Sequence, residues 1–76
     1  MNKLENLIAR VLDVEVASVS NNTSPDNVEN WDSFNGLVLV TELEKKFKVK
    51  FTVEEIISVK NVGDIRRVLK KHGVLT

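Results

Sequence analysis

Apolar residues recur at helical spacing from the beginning of the chain. Leu4, Leu7, Ile8, Val11 and Leu12 stand at i, i+3, i+4, i+7 and i+8. That spacing makes one face of an amphipathic helix over residues 3–14. Lys3, Glu5, Asn6, Arg10 and Asp13 take the other face. From Val16 to Asp32 the periodicity stops. Ser18, Ser20, Asn21, Asn22, Thr23, Ser24, Pro25, Asp26 and Asn27 are turn formers and caps. A connection this long in a small domain is functional or pinned by its own side chains, and Val16, Val19 and Val28 are the candidate pins.

Helical spacing returns at Asp32 and runs to about Val49. The Asp32 carboxylate suits an N-cap, accepting from free N–H groups of the first turn. Gly36, Leu39, Val40, Leu43 and Phe47 fall on one stripe, with Phe34, Val38, Thr41 and Lys45 opposite. Thr52-Val53-Glu54-Glu55 is a capping box opening a short helix through about Ser58, with Val53, Ile56 and Ile57 as its apolar positions. Asn61 caps the last helix, and Val62, Ile65, Val68 and Leu69 form its inner face. Lys70, Lys71 and His72 complement its C-terminal dipole, and Gly73 suits the residue just past its end. Lys48–Val53 hints at a strand, too short and too alone to build a sheet. The pattern predicts an all-α fold: a four-helix bundle with three longer helices, a short third helix and a long first loop. Leu7, Val11, Leu39, Leu43, Phe47, Ile65 and Leu69 are its expected core.

With 76 residues, residues 1–76 make a single domain whose core is thin. There is no cysteine, so neither a disulfide nor a thiolate metal site is expected. The one histidine, His72, reads as a solvated residue near a helix end. Lys plus Arg and Asp plus Glu both number 11, so no net charge draws the chain to nucleic acid. No apolar run approaches membrane-spanning length, and a cytoplasmic monomer is the default.

No catalytic constellation is present. No histidine stands by Ser33 as a base, the glycines are isolated, and adjacent Glu54 and Glu55 point apart. Arg66, Arg67, Lys70 and Lys71 form a basic patch that reads as a solvated face. Asp32-Ser33 stands out. A serine at a helix mouth can carry a phosphodiester, favoured there by the helix dipole, or the pair can be a plain cap in a helical interaction module without a prosthetic group.

The wider spacing bears on that choice. Trp31-Asp32-Ser33-Phe34, then Leu39, Leu43-Glu44 and Phe47, resembles the acyl carrier protein family, whose second helix opens with Asp-Ser-Leu followed by Leu, Leu-Glu and Phe. Phe51 with Thr52-Val53-Glu54-Glu55 resembles the start of that family's third helix, and Val62-Gly63-Asp64-Ile65 the start of its fourth. Leu7 to Leu12, then Val19, Asn21 and Asn22, resemble its first helix and loop. The resemblance implies that Ser33 receives 4′-phosphopantetheine from coenzyme A through a phosphopantetheinyl transferase, with Asp32 capping the helix and assisting recognition by that transferase. The arm's thiol would carry an acyl or aminoacyl group for loading and processing enzymes, and the protein itself would not be an enzyme.

Departures from the family narrow the expectation. The chain is neutral where carriers of bulk fatty-acid synthesis are acidic. Phe34 replaces the usual Leu, Trp31 stands where a small residue is common, and Val38 where an acid is typical. The Trp-Asp-Ser form resembles discrete carriers of specialised pathways: polysaccharide decoration, polyketide or aminoacyl systems. Phe34 and Val38, with Glu42 and Glu44, are the expected docking residues for partner enzymes. Gly36 marks either a pocket mouth beside Ser33 or close helix packing.

Overall fold

A computed structural model describes residues 3–74 as helices joined by ordered turns. Helix α1 spans Lys3–Leu12, α2 Ser33–Phe47, α3 Val53–Ser58 and α4 Val62–Lys71. The expected four-helix, all-α architecture is the one observed, and no strand occurs among the described residues. The long first connection contains a single 3₁₀ turn at Val16–Ser18.

The caps fix where the helices begin. Asp32 accepts the Asn35 N–H at 2.8 Å to open α2. Thr52 and Glu55 exchange hydrogen bonds at 3.1 and 2.9 Å to open α3. Asn61 accepts the Asp64 N–H at 2.8 Å to open α4.

The three longer helices end alike. Asp13, Lys48 and Gly73 are left-handed, with φ of 56°, 56° and 82°. The next residue then bonds back across the last turn: Val14 to the Ala9 carbonyl, Val49 to Glu44 and Val74 to Leu69. Only the last of these turns uses glycine; the left-handed Asp13 and Lys48 stop α1 and α2 two residues short of the apolar patterns that suggested 3–14 and an end at Val49. Asn30 Nδ2 also donates to the Leu12 carbonyl at 2.8 Å, closing the end of α1.

Leu4, Leu7, Ile8 and Leu12 from α1, Leu39 and Leu43 from α2, and Val62, Ile65, Val68 and Leu69 from α4 form the core. Val11 and Phe47, expected fully inside, are only partly buried and pack against its edge. Both lie in the last turn of their helices, Val11 next to the end of α1 and Phe47 as the final residue of α2. Of the apolar residues of α3 only Ile56 packs against the core, beside the buried Glu55; Val53 and Ile57 are exposed.

The long connection is pinned more by polar groups than by its valines. Val19 is buried, while Val16 and Val28 pack partly against the core. The Thr23 carbonyl accepts from Val62 N–H at 2.9 Å, and the Asn21 carbonyl from Gly63 N–H at 3.1 Å. These bonds fasten the loop to the start of α4. Arg66 adds a third tie, donating to Asn21 Oδ1 at 2.7 Å and to Glu5 at 2.8 Å.

Candidate functional site

The first turn of α2 brings together the residues singled out in the sequence. Asp32 is the N-cap and Ser33 the first helical residue, and both are exposed. Asp32 satisfies the N–H of Asn35, while Asn35 Nδ2 donates to the Asn30 carbonyl at 2.7 Å, holding the loop against the turn. The N–H groups of Ser33 and Phe34 belong to the set a helix start leaves without intrahelical partners.

The serine hydroxyls separate one residue from the rest. Ser18 and Ser58 donate to the carbonyls of Glu15 and Glu55, each at 2.7 Å. Ser20 and Ser24 accept from Asn22 and Asp26 N–H groups at 3.2 Å. Among the described residues the Ser33 hydroxyl makes no hydrogen bond. It is exposed, uncommitted and at the positive end of a fifteen-residue helix.

Beside Ser33 lies an open, mainly apolar cleft of about 400 Å³ between α2, α3 and α4, whose lining includes Trp31, Gly36, Leu39, Ile56, Val59 and Ile65. Trp31, noted in the sequence only as a departure, is 7% exposed and belongs to the core. A Cβ on Gly36 would sit 3.5 Å from Trp31 Nε1. Gly36 is thus both a packing surface for Trp31 and part of the cleft wall.

The expected docking residues do not share one environment. Phe34 is 73% exposed, but Val38 is half-buried, and Leu37 at 59% is the second exposed large apolar side chain on this stretch of α2. The placing of Val38 with Phe34 on an open face is therefore corrected: Val38 is partly covered, though it does not pack against the core. Glu42 lies 3.4 Å from Arg10 and 3.9 Å from Lys45. Glu44 Oε2 accepts the Phe51 N–H at 2.8 Å, bracing the turn between α2 and α3.

The basic patch of α4 is largely paired. Arg66 meets Glu5 at 2.8 Å, Arg67 pairs with Asp64, and Lys71 meets Glu55 at 3.3 Å. His72 is not simply solvated: its Nε2 lies 3.0 Å from Glu55 Oε1, and its ring stacks on Phe51 with centroids 6.2 Å apart. The Glu55 carboxyl is held down at about 2, chiefly by the Thr52 N–H and next by His72. Because that carboxylate is ionised, Nε2 is the donor.

Neutrality also conceals a sorted charge distribution. Asp13, Glu15, Asp26, Glu29, Asp32, Glu42 and Glu44 occupy a stretch from Val11 to Glu44 with no lysine or arginine. Lys45, Lys46, Lys48 and Lys50 follow at once. Asp26, Glu29 and Asp32 thus lie just before Ser33, whereas Glu42 and Glu44 stand beside the lysines at the far end of α2, about 20 Å away at 1.5 Å per residue.

The chain matches the family described as "Phosphopantetheine attachment site" over residues 2–69. It is 31% identical over 71 residues to an acyl carrier protein of Lactobacillus acidophilus, covering 93% of this chain and 89% of that one. Its structure resembles the solution structure of a holo acyl carrier protein from Geobacter metallireducens. That match has a TM-score of 0.81 and 31% identity, over 90% of this chain and 78% of the other. The chain belongs to the acyl carrier protein family, whose members bear phosphopantetheine. It is a carrier rather than a catalyst, holds 4′-phosphopantetheine covalently and serves enzymes of acyl metabolism. That membership disfavours the reading as an interaction module without a prosthetic group. Among the described residues no helix is long and apolar enough to cross a membrane.

Proposed function

We propose that Ser33 Oγ is the attachment point of the 4′-phosphopantetheine arm. The observation that carries this is the hydroxyl itself: alone among the serine hydroxyls, that of Ser33 makes no hydrogen bond to another described residue. The surroundings fit the group. First-turn N–H groups and the helix dipole would favour a phosphodiester on Ser33, and the cleft would offer apolar cover next to it. When bound, the arm supplies a thiol that holds cargo as a thioester, which a chain without cysteine cannot do itself. Asp32 sets the angle of the first turn and so presents the hydroxyl to a phosphopantetheinyl transferase.

The other partners are acyl- or aminoacyl-loading and processing enzymes of a specialised pathway, met by a discrete monomer in the cytoplasm without nucleic acid. Neutral composition and the exposed Phe34 support a docking surface based on apolar contact. Phe34 and Leu37 are its centre, with Val38 partly covered behind them and Glu42 and Glu44 further along α2. Incubation with coenzyme A and a transferase tests the site by intact mass. Wild type gains one phosphopantetheine and Ser33→Ala gains none while keeping its helical spectrum. Labelling of Ser33→Ala, or no labelling of wild type by several transferases, overturns the assignment.

A further inference from the structure

Trp31 combines two properties that rarely coincide. Its side chain is more than nine-tenths buried, and its single polar atom has no hydrogen-bond partner among the described residues. Nor is that atom sealed in, since no buried side-chain nitrogen or oxygen lacks a partner, so Nε1 keeps a solvent-accessible edge. The edge opens on a known place. Nε1 faces the Gly36 backbone, with 3.5 Å to the position of an added Cβ, and the indole lines the same cleft as Ser33. The rest of that lining is mainly Leu37, Leu39, Val40, Ile56, Val59 and Ile65. A lone donor at the rim of an apolar cleft favours an acceptor that arrives with a ligand.

We propose that the Trp31 indole N–H is a positioning donor for the prosthetic arm, binding a carbonyl or hydroxyl oxygen in the part nearest the phosphodiester. The inference rests on Ser33 as the attachment point. Gly36 lies three residues beyond Ser33, about one turn along α2, so Nε1 neighbours the root of the arm rather than its thiol end. Pantetheine carries a hydroxyl and two amides, all able to accept, which suits the lone indole donor of Trp31 in a mainly apolar lining. The contact is then made whatever cargo is loaded. Gly36 contributes by absence, leaving Nε1 uncovered.

Trp31 is the sole tryptophan, so the protein gives a single indole N–H signal in a proton–nitrogen correlation spectrum. Apo protein is converted to the holo form without cargo, and intact mass verifies conversion. The expected result is a downfield move of the indole signal and slower hydrogen exchange at that N–H. The slowing should be about fivefold, the factor matching a net hydrogen bond of about 1 kcal/mol. In Trp31→Phe, which keeps an aromatic ring in the core but has no N–H, the arm's methyl signals should sharpen relative to wild-type holo protein. Complete conversion with an unchanged indole signal and unchanged exchange overturns the role of Trp31 while leaving Ser33 intact. Absence of any mass gain overturns the attachment site, and this inference with it. Equally mobile arms in wild type and Trp31→Phe also overturn it.

Discussion

His72 Nε2 donates to the Glu55 carboxylate at 3.0 Å, joining the end of α4 to the start of α3. Lys71 reaches the same carboxylate at 3.3 Å, and the Phe51 ring stacks on the imidazole. Glu55 titrates at about 2 instead of its ordinary 4.5. A carboxyl depressed by folding stabilises the folded state fully above its unfolded value and loses that contribution as pH falls through its folded value. Thermal stability should therefore drop between pH 4.5 and 2. Glu55→Gln, which keeps an acceptor for the Thr52 N–H, should flatten the melting curves in that window. A wild-type-like pH slope in the variant would assign the acid sensitivity to other carboxylates.

Asp32 has two separable roles. Removing an N-cap costs about 1 kcal/mol, so Asp32→Ala should lower the denaturation midpoint modestly. It should slow transferase labelling by more than the unfolded fraction explains. Asp32→Asn, which retains the cap oxygen, should restore stability but not the full labelling rate if the charge assists the transferase. Wild-type labelling in both variants confines Asp32 to capping.

Core positions should differ by burial. Leu43 is fully buried, and Phe47 is only partly covered. Leu43→Ala should cost about 2–5 kcal/mol, a large share of the 5–15 kcal/mol or so that holds a typical domain. Phe47→Ala should cost less despite deleting more atoms. Urea titration of both variants decides it, and the reverse order would put Phe47 at the centre.

Docking should follow exposure. Burying an apolar side chain in an interface contributes up to about 1.5–3 kcal/mol. Leu37→Glu should weaken binding to a loading enzyme with little change in melting temperature. Val38→Glu should lower the melting temperature as well, since Val38 is half-buried. Calorimetric titration at two salt concentrations gives the test: full affinity in Leu37→Glu moves the surface elsewhere on the protein.

Lys48 should be replaceable with profit. A left-handed backbone strains a residue with a Cβ by about 1–2 kcal/mol, and Lys48 sits there at φ 56°. Lys48→Gly should raise the melting temperature, offset in part by the extra freedom of glycine in the unfolded chain. A lower melting temperature would mean that the lysine side chain holds the turn.

What the sequence disclosed follows from which interactions are local. Helix starts were legible because Asp32, Thr52 and Asn61 act on N–H groups three residues away. The ends of α1 and α2 were not, because Asp13 and Lys48 carry no glycine signal for their left-handed turns. The inner face of α2 was read correctly at Leu39 and Leu43. Its outer face was blurred because Phe34, Leu37 and Val38 leave little polar contrast around the helix. Ser33 and Asp32 stood out through their spacing. The partners of Glu55 and the place of Trp31 arise from packing between distant segments, which no local pattern encodes.

Three acids just before Ser33, against Lys45, Lys46, Lys48 and Lys50 at the other end of α2, leave charge unevenly placed along that helix although the chain has no net charge. A uniform field exerts no pull on such a body but does exert a torque. An approaching enzyme with a basic face should turn the acidic, Ser33-bearing end toward itself before contact. That turning acts only within roughly a Debye length, about 8 Å at physiological salt. Little long-range attraction comes with it, so salt should alter the fraction of encounters that arrive correctly oriented more than the strength of the complex once formed.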